Sequence, residues 1–239
     1  MAYQMTFKRY ELKYLLNRQE KEKVLDCMAP YMKLDKYGRT TIRNLYFDTD
    51  SFRLIRRSME KPVYKEKLRI RSYRQVGPMD EVFVELKKKY QSVVYKRRLV
   101  LPEAEVMKSF QEGRSLPVKS QIGDEIEYFR NYYGTLHPVV FLSYEREAYY
   151  AFDGSDFRIT FDENILYRRR NLSLESKVYG IPLLDKGQTL MEIKTSGGIP
   201  LWMSRTLTEN CIFKTSFSKY GTAYQQMLGE QMKGGVCYA

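Results

Sequence analysis

The chain has 239 residues, enough for one sizeable domain, and its 41 lysines and arginines against 29 aspartates and glutamates leave a formal charge of +12. That balance points to an anionic partner, whether nucleic acid, a phosphorylated metabolite or an acidic membrane surface, without choosing among them. Three widely spaced cysteines, Cys27, Cys211 and Cys237, with no CxxC pair, argue against a disulfide framework and a zinc site, and no apolar run approaches the roughly 20 residues of a membrane span.

In chain order, period-two patterning predicts a strand over 6–15, then a helix over 18–31 opened by Asn17 as N-cap. A strand over 40–48 and a helix over 50–58 after Asp50 follow. Three strands, 64–74, 80–90 and 92–101, are joined by short connections at Gly77-Pro78 and Tyr90-Gln91, which is hairpin connectivity and hence an antiparallel meander. Helices are expected over 102–112 and 118–133, strands over 138–150 and 156–163, then a surface excursion over 165–187 in which Arg168-Arg169-Arg170 reads as a solvated charge run. A strand over 188–195, helices over 199–209 and 217–229, and a frayed tail over 230–239 complete the chain. The fold class is α+β: one domain over 1–229, with eight antiparallel strands flanked by helices.

Several chemistries can be set aside. The single histidine, His137, precedes Pro138 and reads as a strand-end residue, which disfavours a histidine-dependent nucleophilic site. Neither GxxxxGK[ST] nor GxGxxG occurs, so side chains must hold any phosphate. The N-terminus shows no leader pattern, and a cytoplasmic protein is expected, with docking at the inner face of a membrane left open.

The strand faces carry the main signal. In YKEKLRIRSYR, residues 64–74, Lys65, Lys67, Arg69 and Arg71 point to one side, because strand side chains alternate. Arg9, Glu11 and Lys13 share a face, as do Glu81, Glu85, Lys87 and Lys89, and Lys96 with Arg98; Arg146 and Arg158 lie on later strands, and Glu192 with Lys194 on the last. Like charges stacked along a strand repel, so a face of this kind calls for an anion. If the sheet curls into a barrel with these faces inward, the charged rows converge on one lumen, with the apolar faces outward under the helices. Arginine and lysine suit phosphate, whereas a carboxylate such as Glu192 beside phosphate implies a hard divalent cation between them, Mg²⁺ or Mn²⁺.

This combination resembles the triphosphate tunnel metalloenzymes, whose eight-stranded antiparallel barrel is lined by basic and acidic side chains. Where the triphosphatase branch has ExExK, this chain has Arg9-x-Glu11-x-Lys13. RYELKY at 9–14, LYFDT at 45–49, KLRIRSY at 67–73, VFVELKKK at 82–89, the Lys96 strand, YEREAY at 144–149, FRITFDENI at 157–165, LMEIKT at 190–195 and FSKYG at 217–221 are similar to the VTC domain, which makes inorganic polyphosphate from ATP. The resemblance implies that Lys13, Arg69, Arg71, Lys87, Lys96, Arg146 and Arg158 act on the triphosphate or growing chain. Lys194 would assist in binding, Ser218 and Lys219 would close one end on phosphate, and Glu192 would hold Mn²⁺ or Mg²⁺; Arg9 and Lys67, from the basic strand faces, are further binding candidates.

The activity so implied is transfer of the γ-phosphate of ATP to inorganic phosphate or polyphosphate, releasing ADP. A metal-dependent triphosphatase and a non-catalytic polyphosphate-binding module are the alternatives. The 21 tyrosines and 12 phenylalanines mostly alternate with the charges or fall on the opposite side, unlike an open stacking platform, so nucleic acid is not the expected partner. Family members in eukaryotes are joined to membrane segments; this chain has none, which raises a separate membrane-protein partner as an expectation.

Overall fold

Alternation of charged and apolar residues builds strands that bury one side, and capped helices cover that side. The computed structural model describes residues 10–91 and 93–234, with backbone alone for 231–234. The chain divides into two compact units. One is drawn from residues up to Thr41, from Tyr144–Ile165 and from Leu184–Phe217; the other from Ile42–Ser143, Leu166–Leu183 and residues from Ser218 on.

The first unit holds β1 (Tyr10–Leu16), α1 (Arg18–Met28), β2 (Met32–Leu34), the second half of β7 (His137–Ala151), most of β8 (Arg158–Arg168), β10 (Thr189–Thr195) and α5 (Leu201–Glu209). Its strand order is β1-β10-β8-β7, with β2 paired to β7. Asn17 caps α1 through a reciprocal box: its side chain accepts from the Glu20 amide, and Glu20 accepts from the Asn17 amide. Val24 and Met28 of that helix join Tyr14, Leu16, Ile159, Phe161, Met191 and Ile193, the apolar sides of three paired strands, in a buried cluster.

The second unit holds β3 (Thr40–Asp48), α2 (Arg53–Met59), β4 (Tyr64–Ser72), β5 (Glu81–Tyr90), β6 (Val93–Pro102), α3 (Glu103–Gln111), α4 (Gln121–Tyr133), the first half of β7, the end of β8, β9 (Ile181–Pro182) and α6 (Lys219–Gly234). The order is β7-β3-β4-β5-β6, and β9 pairs with β8. Leu68, Ile70, Val82, Val84 and Leu86, the apolar sides of β4 and β5, are fully buried against Val106, Phe110, Ile126 and Phe129 of α3 and α4. Burial of one such side chain contributes about 1.5–3 kcal/mol. The opposite sides of the same strands are thereby left for polar contacts.

The antiparallel path of eight strands with flanking helices matches the expected α+β class, and two short strands, β2 and β9, add to it. The excursion over 165–187 is corrected. β8 continues to Arg168, and Arg168 is not solvated: it is buried, with its guanidinium 3.5 Å from the Phe141 ring centre and 4.4 Å from that of Tyr179. It donates to the carbonyls of Asn171, Ser173, Lys177 and Tyr179 and so organises the loop itself, while Arg169 and Arg170 are exposed. Helix α6 runs through Gly234, past the expected start of the tail, and residues 235–239 lie outside the described residues. No helix among the described residues is long and apolar enough to cross a membrane.

Candidate functional site

In the second unit, antiparallel register converts the period-two pattern into rows across three strands. Lys67 stands opposite Lys87 and Lys87 opposite Lys96; Arg69 stands opposite Glu85 and Glu85 opposite Arg98. The cations of these rows would repel one another were it not for Glu85, which is 1% exposed. Arg69 and Arg98 each donate through Nε to Glu85 at 2.8 Å, the Lys96 ammonium lies 2.6 Å from its Oε1, and Arg71 Nη1 lies 3.8 Å from its Oε2.

Burial alone would raise the Glu85 carboxyl, but the charges of Arg69, Arg71, Lys96 and Arg98 outweigh it and hold the group well below the usual carboxylate range. Lys96 is pushed down to about 8: desolvation by the surrounding protein, with repulsion from Arg98 and Arg71, outweighs the attraction of Glu85. Its side chain nevertheless keeps 41% of its surface open to solvent.

Strand β3 and helix α6 hold the remaining members of this set. Arg71 donates to Asn44 Oδ1 at 2.9 Å, and Asn44 is fixed in turn on the Leu142 carbonyl at 3.1 Å; Arg69 donates to the Tyr46 hydroxyl at 3.0 Å. Lys67 donates to Ser218 Oγ at 3.0 Å, and that oxygen accepts from the Gly221 amide at 3.1 Å, capping α6. A Cβ at Gly221 would lie 3.2 Å from the Ser218 side chain, a tight approach to the capping serine. Asp48 accepts from the Tyr220 hydroxyl at 2.8 Å and from the amides of Leu54 and Ile55, so the starts of α2 and α6 are tied to one buried carboxylate. Lys219, the first residue of α6, is buried.

The first unit carries a second set. Glu192 stands between Lys13 and Thr160, and Lys194 between Glu11 and Arg158. Arg146 makes a bidentate pair with Asp162, both bonds 2.6 Å, and reaches Glu192 at 3.3 Å; Lys194 lies 3.2 Å from Glu192. Burial would lower the Arg146 guanidinium, but Asp162 and Glu192 raise it well above its ordinary value. Burial pushes Lys194 down, with Arg146 adding to the effect against Glu192. Arg158 stacks at 4.6 Å on the Tyr150 ring. Its Nε and the Thr160 hydroxyl are buried with no hydrogen-bond partner among the described residues.

The second unit therefore brings Lys67, Arg69, Arg71, Lys87, Lys96 and Ser218 onto one connected set of strands and helix, with Lys219 adjacent. The first unit does the same for Lys13, Arg146, Arg158, Glu192 and Lys194. Arg9 lies outside the described residues. Sequence reasoning missed Asp162, Asn44, Tyr46 and the anchoring role of Glu85. The parity of Asp162 with Arg158 and Thr160 was readable, but its pairing with Arg146 depends on how two strands meet.

A divalent cation was expected at Glu192. Among the described residues no group of three or more Asp, Glu, His or Cys side chains converges. The donors do suit a hard cation held by one or two carboxylates and substrate phosphates. Glu11 and Glu192 both reach the Lys13 ammonium, at 3.3 and 3.6 Å, so two carboxylates already face a single cationic point.

Comparison with known proteins follows the same lines. The model of the VTC domain family matches residues 8–228. A protein of Bacillus halodurans described as a candidate adenylate cyclase superposes over 90% of this chain and 95% of its own, with a TM-score of 0.56 at 15% identity. A protein of Hippeastrum, described as a candidate adenylyl cyclase that reveals a dominant triphosphatase activity, does so over 90% and 95%, with a TM-score of 0.54 at 16% identity. No curated protein matches the chain. The structural likenesses establish the fold, that of the triphosphate tunnel proteins.

Proposed function

The chain belongs to the VTC domain family, and we propose that it is a polyphosphate polymerase that transfers the γ-phosphate of ATP to inorganic phosphate or a polyphosphate end. The observation that supports this reading is that the carboxylates on the basic strand faces are already engaged by cations. Glu85 is clamped by Arg69, Arg71, Lys96 and Arg98, Asp162 by Arg146, and Glu192 by Lys13, Arg146 and Lys194. A carboxylate held well below its usual range, as Glu85 is, makes a poor general base at neutral pH. An acceptor that is already ionised needs none.

In the step proposed, an acceptor phosphate oxygen attacks the γ-phosphorus, the bond from phosphorus to the β,γ-bridging oxygen breaks, and ADP leaves with that electron pair. The chain's contribution is positioning and charge: Arg69, Arg71 and Arg158 hold phosphate oxygens by forked hydrogen bonds, and Lys13, Lys67, Lys87 and Lys96 supply movable charges. Ser218 and Lys219 in the second unit, and Lys194 in the first, add further donors. Glu192, with Glu11, would hold Mn²⁺ or Mg²⁺, which when bound neutralises charge on the phosphates.

The second reading is hydrolysis of a triphosphate, favoured by the activity described for the Hippeastrum protein. Purified protein with ATP and Mn²⁺, assayed in one tube for ADP, free phosphate and long-chain polyphosphate, separates the readings. Polyphosphate with ADP and little free phosphate is the expected result. Free phosphate without polymer would make the protein a triphosphatase, and tight binding without turnover a polyphosphate-binding module. A membrane-protein partner to receive the product remains part of the proposal, tested by native pull-down from membranes.

A further inference from the structure

The basic rows of the second unit end in aromatic residues that phosphate binding does not require. One strand step beyond the Arg69–Glu85–Arg98 row on the same face, Arg71 stands opposite Phe83 and Phe83 opposite Val100. The two rows are two residues apart, about 7 Å along the strand. Tyr73, just past the end of β4, sets its ring edge-on to Phe83 with centres 5.4 Å apart. Arg98 connects this pair to the charged row: its guanidinium lies 4.5 Å from the Phe83 ring centre, and its Nη2 donates to the Tyr73 hydroxyl at 3.3 Å.

A cavity of about 400 Å³ opens here, lined by Tyr73, Phe83, Met79 and Val76 and by the polar Arg74, Asp80 and Glu81, of which Arg74 is paired with Asp80 at 2.6 Å. Its apolar lining is incompletely covered: Tyr73 is 41% exposed, Met79 83% and the neighbouring Val100 45%. Aromatic rings and a thioether, next to a row of cations but with the cavity's own arginine neutralised by Asp80, suit the uncharged, flat end of a ligand whose phosphates lie on that row.

We propose that this cavity takes the nucleobase and ribose of ATP, with Tyr73 and Phe83 as the stacking surface and Arg98 as the hinge between base and phosphates. The proposal rests on the reading of the basic rows as a phosphate grip. Stacking on a ring tolerates any base, so purine identity should matter little.

The test compares ATP with inorganic tripolyphosphate, which has the phosphates and no base, by calorimetric titration of the whole chain. Wild-type protein should bind both. Tyr73→Ala should weaken ATP roughly tenfold, within what loss of a base-stacking ring costs, and leave tripolyphosphate unchanged. Tyr73→Phe keeps the ring and loses the hydroxyl contact to Arg98, so it should retain ATP affinity. Tyr128→Ala, in a separate cavity lined by Tyr64, Tyr132 and Tyr133, should change neither ligand. If Tyr73→Ala weakens both ligands equally or neither, or if Tyr73→Phe weakens ATP as much as Tyr73→Ala does, the nucleobase assignment is overturned. If the wild-type chain binds no tripolyphosphate, the phosphate-grip reading fails instead.

Discussion

Glu85 is 1% exposed and faces Arg69, Arg71, Lys96 and Arg98, so its removal leaves buried and half-buried cations without their counter-charge. Breaking such a buried arrangement typically costs about 3–5 kcal/mol. Glu85→Gln should therefore lower the melting temperature clearly, and added tripolyphosphate should recover part of the loss by standing in for the missing anion. A melt that does not move would remove Glu85 as the anchor of the row. Arg158 is expected to behave in the opposite way. Its buried Nε has no hydrogen-bond partner among the described residues, so Arg158→Ala discards a desolvated donor as well as a stacking contact with Tyr150. A charged hydrogen bond to phosphate contributes roughly 1.5–3 kcal/mol. The variant should lose about tenfold to a hundredfold in kcat/KM for ATP while its melting temperature stays within a degree or two or rises, which would separate a ligand-holding arginine from a structural one.

The row Lys67–Lys87–Lys96 is a property of strand register, and its pH behaviour follows from Lys96 at about 8. The unfolded lysine titrates near 10.4, so between about 8 and 10 the unfolded chain binds the proton that the folded chain has lost. Stability contributed by this group therefore rises with pH across that window. Phosphate binding has the opposite slope, because an anion needs the ammonium: affinity for tripolyphosphate should fall as pH rises through about 8, and Lys96→Arg should flatten that limb. Titration calorimetry and thermal melts across pH 7–10 check both slopes, and parallel slopes would count against the row. The faces of these strands were legible in the sequence because alternation is local: Lys65 to Arg71 in one strand, Lys87 in the next. What escaped was whatever needs two elements to meet. Asp162 belongs with Arg146 only through the pairing of β7 with β8. Arg168 looked like one of three solvated arginines because nothing in its neighbourhood announces Phe141 from β7 beneath it. Glu85 was visible as a charge but not as the centre of its row, since Arg69 and Arg98 reach it from strands on either side.

At the scale of the whole molecule, a formal charge of +12 will draw any polyanion, so binding alone cannot identify the substrate. Ionic strength separates the two kinds of attraction. Exposed lysines and arginines act over distances that salt shortens to a Debye length of about 8 Å at 0.15 M. Several of the groups proposed to hold phosphate are recessed: Lys13, Arg69, Arg71 and Lys194 have side chains no more than 26% exposed, although Lys96 keeps 41% open. Single-stranded RNA should therefore bind at low salt and be released near physiological ionic strength, whereas tripolyphosphate should weaken by about tenfold or less over the same range, because pairs shielded from solvent are screened less. Arg69→Ala should remove most of the salt-resistant component and little of the RNA binding. Should RNA persist at 0.15 M salt with tripolyphosphate unable to displace it, the molecule's charge would be serving a nucleic acid, and the polymerase proposal would lose its substrate.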